Sequence, residues 1–150
     1  MIDTSKYVIL KFHKGGDYYF GKDAKPDTLS AEDIAKIEDL IGKRISEYNR
    51  AEKDSAISIT KRIRKKNHDP NFTWTGDFIK NPSKYYKQLI PIINIKGEKE
   101  VWVNCFCSAD GKPYWKKNIV LVMDGGSCYF NLKINLTTGT VYDFMVNGVA

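Results

Sequence analysis

The chain has 150 residues, of which 42% are hydrophobic and 13% aromatic; this is apolar surface enough for one folded domain and too much for a disordered chain. Its 24 Lys and Arg against 18 Asp and Glu leave a formal charge of +6, which keeps a small domain soluble and also attracts phosphate polymers, anionic lipid or an acidic partner. No apolar run approaches the length of a membrane-crossing helix.

Tyr7 to Phe12 reads as a strand, and Gly15-Gly16 as a turn that returns it into Tyr18-Tyr19-Phe20 as a hairpin. Ser30 then opens the clearest element. It suits an N-cap, and Asp33 three residues on completes an approximate capping box. Ile34, Ile37, Ile41, Ile45 and Tyr48 recur at three- and four-residue steps, so one stripe is apolar and a helix is expected over about 30–53. From Ser55 to Asn67 neither period fits, and Lys61 to Lys66 is the strongest charge run. His68-Asp69-Pro70-Asn71 is turn chemistry. Phe72, Trp74 and Phe78 fall in an irregular connection to Pro82, pinned to the edge of the core.

The rest reads as an antiparallel meander. Its expected strands are about Tyr86–Ile95, an edge or bulged strand because of Pro91, then Glu100–Cys107, Lys117–Met123, Cys128–Leu136 and Thr140–Val146. Lys96-Gly97-Glu98, Asp124-Gly125-Gly126-Ser127 and Thr137-Thr138-Gly139 are the turns, the second expected to be a tight hairpin. In the fourth strand Cys128, Phe130, Leu132, Ile134 and Leu136 alternate with Tyr129, Asn131, Lys133 and Asn135, so one face is core and the other wet. The helix stripe is the obvious cover for the core face. The expectation is a single α+β domain over 1–150. One long helix packs on a curved antiparallel sheet of four to five strands, preceded by an N-terminal strand or hairpin.

Parts of the C-terminal half, Val101 to Cys107, Trp115-Lys116-Lys117, Asp124-Gly125-Gly126, Cys128-Tyr129-Phe130 and Ile134-Asn135-Leu136, resemble a group of small uncharacterised proteins of gut bacteria. The resemblance spans roughly 85–148 and consists of strand and turn residues. It implies no activity and no site. Many members of that group look exported. Here Met1 to Lys6 carries no signal-peptide hydrophobic region, so a cytoplasmic, soluble protein is expected. The order of elements is also similar to the cystatin-like arrangement, a shape that hosts inhibitors, ligand-binding domains and enzymes alike.

Cys105, Cys107 and Cys128 are odd in number and fall in apolar strand positions. They are expected to be reduced, metal-free core residues. His13 and His68 lack the clustered ligands of a zinc site. Gly125-Gly126 precedes a strand, where a phosphate-cradling loop opens a helix. No Ser-His-Asp order or paired carboxylate spacing stands out, so no catalytic residue, cofactor or metal is assigned.

Two constellations remain. On the wet face, Trp102 and Asn104 fall beside Tyr129, Asn131 and Lys133 if their strands both flank the third. Aromatics among amides suit a protein partner or a polar ring-shaped ligand. The structural alternative is a face covered by the 72–85 connection. Lys61, Arg62, Arg64, Lys65 and Lys66 form the other, a track for a phosphate backbone with Phe72 or Trp74 to stack on bases. The leading expectation is a non-catalytic binding or protein-interaction module using the polar-aromatic sheet face. The alternatives are a small enzyme with a pocket between helix and sheet, and a nucleic-acid binder through residues 61–66.

Overall fold

The computed structural model describes residues 3–13 and 20–149. Helix α1, Ala31–Asn67, starts at a closed capping box. Ser30 Oγ accepts from the Asp33 amide at 3.1 Å, and the Asp33 carboxylate accepts from the Ser30 amide at 2.9 Å. The stripe Ile34, Ile37, Ile41 and Ile45 is buried as its spacing predicts. The helix does not stop near 53 but runs on to Asn67. It ends where His68 turns left-handed at φ 52°, just before Asp69-Pro70.

The strands are β1 Tyr7–Ile9, β2 Lys25–Pro26, β3 Tyr86–Ile93, β4 Lys99–Phe106, β5 Tyr129–Asn135 and β6 Thr140–Val146. They form one sheet in the order β1-β3-β4-β5-β6, with β2 also pairing β3. All pairings are antiparallel except β1 with β3. The N-terminal strand pairs with no returning neighbour among the described residues. It crosses to pair in parallel with β3, while Gly15-Gly16 and Tyr18-Tyr19 lie outside the described residues. Pro91 sits inside β3, which has neighbours on both sides. Its carbonyl accepts from Asp27 N, so its missing N–H faces the same side, between β1 and β2, where no ladder bond is required.

The expected third strand, Lys117–Met123, is not one. Residues 108–125 are an irregular segment, and β4 pairs directly with β5. Gly125 and Gly126 do take positive φ, 90° and 58°, but they lead through a 3-10 turn, Gly126–Cys128, into β5. They do not close a β-hairpin. A Cβ at Gly126 would meet the Asp77 carboxylate at 2.7 Å, so the backbone there must come close to Asp77.

The cysteines correct a second expectation. Cys107 and Cys128 form a disulfide, and only Cys105 stays free and buried. In the β4–β5 register Asn104 faces Asn131 and Phe106 faces Tyr129, so the next facing pair is Cys107 and Cys128. Their Cα atoms lie 4.9 Å apart, and Cys107 N donates to Cys128 O at 2.9 Å.

The core has two layers. On the helix side, Leu89, Val101, Val103, Cys105, Phe130, Leu132 and Ile134 meet Ile37, Ile41 and Ile45. On the other side, Ile90, Ile92 and Trp102 pack with Phe12, Phe20 and Ala24, while Phe106 packs with Trp115 and Val120. No helix among the described residues is long and apolar enough to cross a membrane.

Candidate functional site

The polar-aromatic sheet face does assemble, but through direct pairing of β4 with β5 and not across the expected third strand. Trp102 stands opposite Lys133, and Asn104 opposite Asn131. Yet Trp102 is 5% and Asn104 9% exposed. The cover is not the 72–85 connection but residues 10–13, 20–24 and 109–123, which close over β3 and β4. Gln88, fully buried, holds the second segment like a missing strand. Its Nε2 donates to the carbonyls of Trp115 and Asn118, and its Oε1 accepts from Val120 N and Asn104 Nδ2. Two donors and two acceptors are thus all used. Asn104 Nδ2 also donates to Val120 O at 2.7 Å. These amides satisfy the backbone of an irregular chain, so Asn104 is structural, and Trp102 is core.

The other three residues of that face are tied up inside the molecule. Lys133 pairs with Asp143 at 3.1 Å and lies over the rings of Phe20 and Tyr142. Tyr129 lies beneath the Lys112 ammonium, 5.3 Å from its ring centre. Asn131 is half-buried between Asn104 and Met145. At the end of this face Tyr142 donates to Glu100 at 2.5 Å. Burial, and then that bond, raise the Tyr142 pKa, so the phenol stays neutral.

The chemistry of a nucleophile is poorly served. Burial pushes the Cys105 thiol up to about 12, against the opposing pull of the nearby Lys87 ammonium. Tyr85 and Tyr48 are both raised to about 12, burial being the main cause in each. His68 is taken up in the helix cap and exposed, and His13 is exposed at the border of the described residues. No group of three His, Cys, Asp or Glu among the described residues is placed to hold a metal ion.

What sequence reasoning missed is the second half of the helix. A 37-residue helix is roughly 55 Å long, whereas an eight-residue strand covers roughly 26 Å. Beyond Tyr48 no helix residue joins the main core. Instead residues 72–79 run back along the helix as a strap, pinned by polar side chains. Asn49 both donates to and accepts from Ile79, and Asp77 N donates to Glu52. Thr60 Oγ1 accepts from Trp74 N, and Arg64 donates to Phe72 O and Thr73 Oγ1. Asp77 then ties the strap to the sheet, its carboxylate accepting from Ser127 N at 2.7 Å.

Helix and strap together make an arm with an open groove of about 350 Å³. Ala56, Ile57, Trp74 and Phe78 form its apolar floor, and Lys53, Lys61 and Arg64 stand at its rim. Ile57 is 50% and Trp74 36% exposed. Residues 49–67 hold seven Lys or Arg and two Asp or Glu, a net +5 against +6 for the whole chain. Of the five basic candidates, Arg64 is committed to the strap. Lys61, Arg62, Lys65 and Lys66 spread over about 140° of the helix circumference and do not form one track. No protein-family model, curated protein or solved structure matches this chain.

Proposed function

We propose that this protein is a non-catalytic interaction module that takes an acidic protein segment, carrying an apolar side chain, on its arm. The observation behind this reading is the coincidence of the charge with the groove. Nearly all of the net positive charge sits on the half of α1 that the sheet leaves free, around an exposed Ile57 and Trp74. The fit is by charge complementarity at the rim and apolar burial at the floor. The scattered cations do not follow a phosphate backbone. This favours a protein over the nucleic-acid alternative through Lys61, Arg62, Arg64, Lys65 and Lys66. The binding-module reading of the sequence is kept, but its surface moves from the sheet face to the arm.

The disulfide supports a second element of the reading. Cys107 is exposed, and a persistent disulfide belongs to an oxidising compartment rather than the cytoplasm expected from the sequence. Such a compartment also favours a protein partner over nucleic acid. The helix followed by an antiparallel meander supports the cystatin-like arrangement, which is compatible with a binding role without selecting it.

The test uses three fluorescein-labelled probes: a short peptide of glutamates around one leucine, the same peptide with serine in that place, and oligodeoxythymidine. The leucine peptide should bind tightest, with affinity falling as salt rises. Binding of the oligonucleotide alone, with a steep salt slope, would support the nucleic-acid reading instead.

A further inference from the structure

Lys87 lies on the helix-facing side of β3, between Tyr85 and Leu89, and is 4% exposed. A lysine there takes its charge out of water and needs close partners. Its ammonium has three, all long: Glu38 Oε1 at 3.3 Å, Tyr85 O at 3.3 Å and Pro82 O at 3.4 Å. Charge-assisted bonds usually close to about 2.7–2.9 Å. Beside Lys87 opens a cleft of about 680 Å³ between α1, β1 and the turn at 82–84. Such a volume takes a small metabolite.

Two more ammonium groups, those of Lys6 and Lys84, stand on its wall. Neither has a carboxylate within ion-pair distance among the described residues. Lys6 donates to Lys84 O at 3.1 Å and lies over the Tyr86 ring. The opposing charges are Asp3 and Glu38. Asp3 is occupied by the amide and hydroxyl of Ser5, which leaves Glu38 as the one carboxylate facing Lys87 among the described residues. Ser83 and Tyr7 add hydroxyl groups to the wall.

We infer that this cleft binds a small oxyanion, a phosphate or a carboxylate, with Lys87 at its base and Lys84 at its mouth. Glu38 is then a competitor that holds the ammonium in the empty protein. This site is separate from the arm and does not depend on the partner proposed there.

Amide resonances of Tyr7 and of residues 83–87 should be followed while inorganic phosphate, or acetate, is titrated against chloride at matched ionic strength. Saturable shifts are expected with at least one anion, and which one separates the tetrahedral from the planar ligand. Lys84→Ala, an exposed position, should weaken binding roughly tenfold, the effect of losing one bond to a charged group. Glu38→Gln should tighten binding, a sign that a purely structural ion pair would not give. Failure of both anions to saturate, or affinities that Lys84→Ala and Glu38→Gln leave unchanged, would overturn the assignment.

Discussion

Helix α1 is one unbroken element, yet its two halves live under different rules. The first half turns Ile37, Ile41 and Ile45 onto the sheet and is sealed by apolar packing. The second half contributes no residue to the core shared with the sheet beyond Tyr48. Its neighbour is a strap whose backbone is satisfied by Asn49, Glu52, Thr60 and Arg64. Packing decides the first half, and polar side chains with charge decide the second. The comparison teaches where stability and recognition reside. A surface held by hydrogen bonds at its rim can leave Ile57 and Trp74 exposed without loosening the core.

The comparison breaks most easily at the core. Ile41→Ala should cost ~2–5 kcal/mol by cavity formation, measured by urea unfolding. Ile57→Ala should stay within about 0.5 kcal/mol, as exposed substitutions do. Similar losses at both positions would mean that the arm is as much core as the body.

Reduction of Cys107–Cys128 should come next. The bridge spans a sequence separation of 21, and opening it should cost roughly 3 kcal/mol through the unfolded chain. Thiol counting in the denatured, unreduced protein should find one free thiol, that of Cys105. A count of three would remove the disulfide and with it the case for an oxidising compartment.

Asn49→Ala sharpens the comparison from the arm side. It deletes both side-chain bonds to Ile79 and should cost about 1–2 kcal/mol. Amide exchange should quicken in 72–79 and stay slow in β4 and β5. Equal quickening in the sheet would show that arm and body open together.

The smallest effect is at the helix start. Burial raises the Asp33 pKa, but the bonds from Lys99 and Ser30 outweigh it, and the net direction is below the ordinary 3.8. A lowered carboxylate pKa adds stability above the unfolded-state value, and this is lost as pH falls through the folded one. Asp33→Asn should therefore flatten the acid limb of the stability curve. An unchanged acid limb would show that the Lys99–Asp33 contact carries no weight.

Much of the body is legible in the sequence. Ser30, Asp33 and the isoleucine stripe mark the helix start, and alternation along Phe130, Leu132 and Ile134 fixes the faces of β5. Thr137-Thr138-Gly139 marks the last turn. The helix end is not legible, because past Tyr48 the strap-facing positions are polar and no apolar period survives. Lys117 to Met123 reads as a strand in the sequence. Its backbone is in fact met by Gln88 and Asn104, whose partners are distant in sequence. That false strand also hid the disulfide. With it inserted, Cys107 and Cys128 belong to strands that do not touch, and without it they face each other. The residues expected for the sheet-face site do come together, but the segments that roof them carry no mark in the sequence. Of the charge run, the residues were readable and their distribution around a free helix was not.

The central claim is that the arm, not the sheet face, meets the partner. The direct measurement is the affinity of Trp74→Ala for the labelled leucine-bearing acidic peptide, beside its unfolding midpoint. Binding should fall roughly tenfold, as for loss of an aromatic anchor, with the midpoint unchanged. Undiminished peptide binding by a folded Trp74→Ala protein would contradict the claim.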